Sequence, residues 1–363
     1  MVTSKASKVS IRRAVSSDIP QVADLVRQVS DHNHDYSVEV IRAIFSDLVP
    51  GEYYGWLAFA GDQPVGITTL QPCLLELGGR PCKAGYWTYL CVRPDYRRTA
   101  LYPRLVYAMI GGAADVGIDV VYGAIRRPQV AAGHLALGME KIGEMPVLAK
   151  PLRPARLLSK FYGLGHVFAQ VSAVPDYAYQ EYLSLRRSSP KPGYIVRNAA
   201  ARDADPSVLV PVLRELHVSE MQRPMTPESF AHRYATSPDG DEYRVLCVEG
   251  LGEIRAAIIY RMAVRSKNIH TLVIMEMGHR FSDLDSLAFG LAELERRAIQ
   301  SKCEVILALS SSPFMQTLLK KSGYLRSNET YVLMKKPTSR KADCAFPDRI
   351  DDWYFTFADH NAF

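Results

Sequence analysis

The segment Leu90-Cys91-Val92-Arg93-Pro94-Asp95-Tyr96-Arg97-Arg98-Thr99-Ala100-Leu101-Tyr102-Pro103-Arg104-Leu105 changes its period in the middle. Lys83 to Val92 is rich in Tyr and Trp and reads as a strand. Pro94 turns the chain, a basic loop follows, and Tyr102 to Val116 has the apolar content of a helix, interrupted at Gly111-Gly112. Pro103 suits a first helical turn, where a missing N–H costs nothing. The free amides of that turn, the positive end of the helix dipole and the guanidiniums of Arg97 and Arg98 combine into an anion site, and a pyrophosphate is the guest of matching charge.

The elements around this segment follow an order that then repeats. Val9 to Ala14 reads as a strand. Ser16, Ser17 and Asp18 offer an N-cap to a helix over Ile19 to Val29, and a second helix spans Val38 to Leu48. Strands follow at Tyr54 to Ala60 and Pro64 to Pro72, turned at Gly61-Asp62. After the basic loop and its helix come a β-branched strand, Ile118 to Ile125, a helix over Val130 to Ile142 and an extended piece, Pro146 to Leu152. From Tyr194 the same grammar restarts: strands at 194–197, 244–249, 253–264, 271–277, 304–309 and 330–335, and helices at 206–217, 284–300 and 313–322. The expected fold is α/β with a mixed sheet, present in two copies. The boundaries are residues 1–152 for the first domain, 153–193 for a proline-rich, partly helical linker, 194–337 for the second domain and 338–363 for a tail. Trp353, Tyr354, Phe355 and Phe357 make that tail too apolar for disorder, so it packs onto the body.

Composition narrows the function. The 363 residues, 48% of them apolar, provide enough core for two domains. A net charge of +6, from 44 basic and 38 acidic residues, favours small anionic ligands and lacks the dense stripe of a nucleic-acid binder. Lys320-Lys321 and Lys335-Lys336 read as solvated faces. No apolar run approaches the roughly 18 residues of a membrane span, and no signal peptide precedes the first strand. The six cysteines are scattered without C-x-x-C spacing, as in a reduced cytoplasmic protein. No metal is expected, because even the titratable cluster Asp31-His32-Asn33-His34-Asp35 lacks further ligands at fixed spacing.

The loop segment resembles the central motif of the GNAT acyltransferase superfamily, in which a strand and a V-x-P-like turn feed an R-x-x-G-x-G/A loop and helix. Arg97 matches the arginine, while Ala100 and Tyr102 stand where small residues are usual. By element order the resemblance covers residues 9 to 152. Residues 194 to 337 resemble the degenerate half of tandem GNAT proteins, since Gly278 to Asp285 carries two acids, which repel phosphate. The resemblance implies an acyl donor, acetyl-CoA or another acyl-CoA. Its pantetheine would lie along Leu90, Cys91 and Val92, its pyrophosphate on the amides of Arg97, Arg98, Thr99, Ala100, Leu101 and Tyr102, with Arg127 as a polar contact. The implied chemistry is attack by a small-molecule amine on the thioester, needing a base, an oxyanion donor and an acid for the thiolate.

In the family the acid is often the Tyr of a Y-x-x-x-G-F pattern, and here His134 stands in its place, four residues before Gly138. The fourth strand has no Glu, so Tyr86 is the candidate base, through a water, with core packing as its other role. By alternation Tyr86, Thr88 and Leu90 share one face, and Trp87, Tyr89 and Cys91 the other. His32, His34 and Asp35 fall in the segment that lines the acceptor side in the family, and Asp359 belongs to a tail similar to the W-x-x-T-x-x-D-x-D ending of some tandem GNAT chains. The expectation is an N-acyltransferase, monomer or homodimer, without nucleic-acid or membrane partners. The alternatives are a non-catalytic CoA sensor or partner-binding module, and a transferase using a carrier-protein or long-chain thioester.

Overall fold

The computed structural model describes residues 9–29, 37–45, 54–164, 171–186, 193–214, 221–235, 243–280, 283–338 and 346–359. Its contacts divide the chain into unit 1, Met1–Glu144 with Tyr331–Ile350, and unit 2, Met145–Thr330 with Asp351–Phe363.

In unit 1 the elements are β1 (Val9–Arg13), α1 (Ile19–Val29), α2 (Val38–Phe45), β2 (Tyr54–Ala60), β3 (Gln63–Leu77), β4 (Arg80–Val92), α3 (Leu101–Asp115), β5 (Val120–Ile125) and α4 (Pro128–Ala136). Strands β1 to β5 lie side by side in chain order, antiparallel except for the parallel pair β4–β5. The free edge of β5 is completed from the far end of the chain, where Val332–Pro337 pair with Ile125–Val120. Each face of this sheet has its own core. Ile19, Val22, Leu25 and Val26 of α1 pack with Leu57, Ile67 and Cys91 on one side, and Leu101, Leu105 and Met109 of α3 pack with Trp87 and Val92 on the other.

That division of faces departs from simple alternation in β4. Thr68 pairs with Leu90 and Leu70 with Trp87, so Thr88 and Tyr89 together face the single residue Thr69. Such a bulge reverses the side-chain phase. Trp87 therefore shares the α3 face with Leu90 and Val92, whereas Tyr89 and Cys91 turn to the α1 face, and the grouping of Trp87 with Tyr89 and Cys91 is corrected. Thr69 fills the bulge. Its Oγ1 lies 2.7 Å from Thr88 Oγ1 and accepts the Tyr89 N–H at 3.1 Å.

Two more expectations change. Helix α3 runs unbroken through Gly111-Gly112, because a Cβ at Gly112 would lie 2.6 Å from the Trp56 ring, and the glycine makes room for that indole. Gly111 faces open space. Ala at 112 is therefore expected to cost about 1–3 kcal/mol by overpacking, while Ala at 111 gains about 0.5–1 kcal/mol from helix propensity. Thermal midpoints of the two variants that moved together would contradict this packing. The expected helix to Ile142 ends at Ala136, since Gly138 adopts φ +87 and Glu140–Pro151 is strand β6.

Unit 2 repeats the order with β7 (Tyr194–Ala200), a helix at Pro206–Arg214, β8 (Arg244–Gly250), β9 (Glu253–Arg265), β10 (Ile269–His279), a helix at Leu284–Gln300, β11 (Val305–Ala308), a helix at Pro313–Lys321 and the start of β12 (Leu325–Pro337), whose residues from Tyr331 on belong to unit 1. Leu148–Pro151 of β6 pair with β11, and the order continues through β10, β9 and β8 to β7. One core holds it, with Leu246, Ile258 and Leu272 from the sheet against Leu287, Leu291 and Leu294. Among the described residues no helix is long and apolar enough to cross a membrane.

Candidate active site

The site in unit 1 begins where β4 and β5 part. They pair only over Ala84–Tyr86 and Val120–Tyr122, after which β5 continues to Ile125 and β4 to Val92 without further pairing between them. The bulge at Thr88–Tyr89 lies at this divergence, where extra twist re-aims the strand. A wedge results, with the backbone of Thr88 to Val92 along one wall. Thr88, Tyr89 and Leu90 are half-buried, and Cys91 and Val92 are buried. Burial pushes the Cys91 thiol up to about 11, so it stays a thiol at neutral pH.

Beyond Val92 the chain makes a short turn at Pro94–Tyr96 and reaches α3 through Arg97 to Ala100. Arg97 is exposed, and its Nε donates to Val92 O at 3.1 Å, which folds the loop back on the strand end. Thr99 Oγ1 donates to Tyr96 O at 2.7 Å and accepts the Leu101 N–H at 3.3 Å. The helix start has no other side-chain cap, and among the described residues the amides of Arg98, Ala100 and Tyr102 have no acceptor. With exposed Arg98 beside them, these donors at the positive end of a fifteen-residue helix match an anion.

Tyr102 does not lie across this loop. Its hydroxyl shares a hydrogen bond with His134 Nδ1 on α4, and its ring stacks on the imidazole at 5.8 Å. Gly133 lets it approach, since a Cβ there would stand 3.0 Å from the Tyr102 hydroxyl oxygen. Trp87 stacks on the imidazole more closely, with centroids 3.9 Å apart and planes 11° from parallel. The Trp87 indole N–H in turn donates to Thr68 Oγ1 at 2.9 Å. His134 is thus held in an aromatic stack, and burial lowers its pKa to about 4. The same cause raises the half-buried Tyr102 phenol to about 12. At neutral pH both groups are uncharged.

The residues expected in the site divide accordingly. Leu90 to Val92, Arg97 to Tyr102 and His134 come together around the wedge and the start of α3. Arg127 is exposed at the N-cap of α4. Tyr86 precedes the bulge next to Trp87, so its side chain takes the opposite face from the one on which Trp87 meets His134. It is buried against Tyr122 at 5.2 Å. His32, His34 and Asp35 lie outside the described residues. Asp359 is buried in unit 2, where it accepts the Thr356 N–H at 2.9 Å and pairs with Arg223 at 3.4 Å. Sequence reasoning missed Trp87 and the Tyr102–His134 pair, whose partners stand 32 positions apart.

The corresponding places in unit 2 are filled. At the start of the helix Leu284–Gln300, Asp283 caps the Ser286 amide at 3.1 Å, and Tyr194 donates to both oxygens of that carboxylate. Strand β10 pairs with β11 only over Thr271–Ile274, and the tail lies just beyond that pairing. Ser310 bridges to Thr356, Ser311 N–H donates to Phe355 O at 2.9 Å, and Trp353, Phe355 and Phe357 are buried. Glu276, beyond the paired part of β10, accepts from Tyr234 at 2.7 Å and is raised to about 7 by burial.

Residues 10–130 match the family model described as acetyltransferase (GNAT) domain. That match covers 121 of the 363 residues and lies in unit 1. Solved structures agree on the fold. A GCN5-related N-acetyltransferase from Anabaena variabilis ATCC 29413 superimposes with a TM-score of 0.62 at 11% identity, over 92% of this chain and 73% of that one. The Saccharomyces cerevisiae N-myristoyltransferase with bound myristoylCoA gives 0.62 at 14%, over 94% and 84%. A tandem GNAT protein from the clavulanic acid biosynthesis pathway gives 0.60 at 12%, over 92% and 100%. No curated protein matches the chain in sequence.

Proposed function

We propose that unit 1 transfers an acyl group from acyl-CoA, acetyl-CoA in the simplest case, to the amine of a small-molecule acceptor. The observation that carries this is the set of uncapped amides at Arg98, Ala100 and Tyr102 beside two exposed arginines, set directly after a strand that has parted from its neighbour. The pyrophosphate would rest on those amides and on Arg97 and Arg98, with Arg127 as a further polar contact. The pantetheine would run in the wedge, its amides bonding the open edge of β4 from Thr88 to Val92. A neutral, half-apolar wedge suits that arm, and the positive loop suits its phosphates.

The amine attacks the thioester carbonyl, and the thiolate that leaves needs a proton. His134 with a pKa near 4 carries no extra proton at neutral pH, so an imidazolium acid is not at hand. The Tyr102 phenol is protonated and half-exposed. In our proposal Tyr102 hands its proton to the sulfur, while His134 in the tautomer with hydrogen on Nδ1 donates to the phenolate oxygen that forms. Tyr86 serves the core, and the acceptor amine loses its proton to water.

Unit 2 in this reading holds no donor, because Asp283 caps its helix and its own tail lies beyond the β10–β11 pairing. Titration calorimetry with acetyl-CoA is expected to give one equivalent per chain. A value of two would remove the assignment of unit 2, and no heat or thermal stabilisation with any acyl-CoA would remove that of unit 1 and favour a non-catalytic module. The described cysteines are all free thiols, which supports a reducing, cytoplasmic setting.

A further inference from the structure

We propose that the Thr88 hydroxyl, on the bulge of β4, donates a hydrogen bond to the carbonyl oxygen of the acyl thioester and stabilises the negative charge that develops there. This role rests on the donor site proposed for unit 1. Strands β4 and β5 stop pairing after Tyr86 and Tyr122, so Thr88 stands at the closed end of the wedge. The donor's arm has about twelve bonds between its phosphate oxygen and its sulfur, as many as four residues of backbone, and spans about 13–14 Å when extended. From Val92 back to Thr88 the strand rises about 13 Å. The bond from Arg97 Nε to Val92 O holds the loop against the strand end. An arm that starts at this loop and follows the edge of β4 therefore brings its sulfur, and the carbonyl next to it, beside Thr88.

The two threonine hydroxyls at the bulge have a fixed direction. Thr69 is fully buried and Thr88 half-buried. A hydroxyl carries one hydrogen and two lone pairs. Thr69 Oγ1 accepts the Tyr89 N–H at 3.1 Å, and among the described residues the acceptor in reach of its own hydrogen is Thr88 Oγ1, 2.7 Å away. Were Thr88 the donor of that bond, the Thr69 hydrogen would be buried without an acceptor, which folded proteins avoid. Thr69 therefore donates to Thr88. The Thr88 hydrogen is left to point away from Thr69 at a half-exposed position, and among the described residues no protein atom accepts it.

That direction makes Thr88 a donor and not a nucleophile. A nucleophilic hydroxyl needs a neighbouring base to take its proton, whereas the Thr88 oxygen receives a hydrogen bond from Thr69. Thr88 keeps its proton throughout. As the amine nitrogen bonds to the carbonyl carbon, the π pair moves onto oxygen, and a donor already aimed at that oxygen lowers the barrier. When the pair returns to remake the carbonyl, the C–S bond breaks and its electrons leave on sulfur. The sheet separates the two tasks. Thr68 meets the Trp87 indole on the α3 face, so Thr69, the next residue of β3, turns to the α1 face and Thr88 meets it there. The carbonyl oxygen is thus served from the α1 face, and the sulfur from the α3 face, where Tyr102 and His134 lie. The bulge is what aims Thr88 in this way.

The test is the carbonyl stretch of acetyl-CoA, labelled with carbon-13 at the carbonyl and bound to the full chain, read by isotope-edited infrared spectroscopy beside calorimetric affinity and a melting curve. The stretch is expected at lower wavenumber in the parent chain and in Thr88→Ser than in Thr88→Val. Thr88→Ala should match Thr88→Val, which separates the loss of the hydroxyl from any effect of the valine methyl on packing. Acetyl-CoA affinity should fall less than about tenfold, the upper range for one neutral hydrogen bond. If the parent chain binds acetyl-CoA and the stretch is the same in Thr88→Val, the role of Thr88 is overturned while the donor site stands. A lowered melting midpoint in Thr88→Val with an unmoved stretch would make the hydroxyl a purely structural group and overturns the role equally. If the parent chain binds no acyl-CoA, the donor site itself falls, and the role of Thr88 with it.

Discussion

Replacing Arg97 and Arg98 together with glutamate is expected to lower acetyl-CoA affinity by at least about 100-fold. Each charge-assisted hydrogen bond to phosphate contributes about 1.5–3 kcal/mol, and 100-fold corresponds to about 2.7 kcal/mol. Two such contacts exceed that before the repulsion from the new carboxylates is counted. The fold should tolerate the change. Both side chains are exposed, and only the bond from Arg97 Nε to Val92 O is lost. Surface substitutions of this kind usually move stability by about 0.5 kcal/mol, so the thermal midpoint should barely shift. The measurement is calorimetric titration with acetyl-CoA, alongside a melting curve. Undiminished affinity in a folded variant would mean that the uncapped amides of α3 are not the phosphate cradle. Because the interaction is ionic, the parent affinity should also fall with salt. The charge-reversed variant should show little or none of that dependence.

This first result depends on features that one sequence displays well. Strand, proline turn, basic loop and helix lie within sixteen consecutive residues, and local chemistry places all of them. The helices at Ile19–Val29 and Leu284–Gln300 were equally legible, because each carries one apolar stripe against a sheet. Legibility failed where a single residue or a distant partner decided the outcome. Thr88 and Tyr89 share the partner Thr69, and nothing in residue type marks that bulge, so the faces of β4 were read in the wrong phase. Gly138 with φ +87 ends a helix that apolar spacing alone would extend to Ile142. Gly112 looked like an interruption of α3 and instead makes room for Trp56, which lies 56 positions earlier in the chain. Tyr102 stands where small residues are usual in such a loop, and only the tertiary fold brings its side chain to His134.

That pair yields the other large effect. Tyr102→Phe is expected to lower kcat about 100-fold, the lower end of what a positioned general acid supplies, with donor affinity changed less than about threefold. The stacking of ring on imidazole survives in Phe and only the proton carrier is lost. His134→Gln, which can still donate toward the phenol oxygen, should retain more activity than His134→Ala. The pH profile separates this mechanism from an imidazolium acid. An acid with the usual histidine pKa would let the rate fall as pH rises through about 6.5. A histidine held near 4 gives no such limb. Stability supplies a second readout, with the sign fixed by linkage. The folded state keeps His134 neutral, while the unfolded chain protonates it from about pH 6.5 downward. The unfolded state therefore binds more protons, and the contribution is present above about pH 6.5 and lost as pH falls toward 4. The loss is on the order of 3 kcal/mol from this residue. His134→Gln should flatten that part of the curve in urea titrations at successive pH values. If Tyr102→Phe turns over at the parent rate, the phenol is not the proton source. If His134→Gln keeps the full acid-side slope, the imidazole is not held neutral in its aromatic stack.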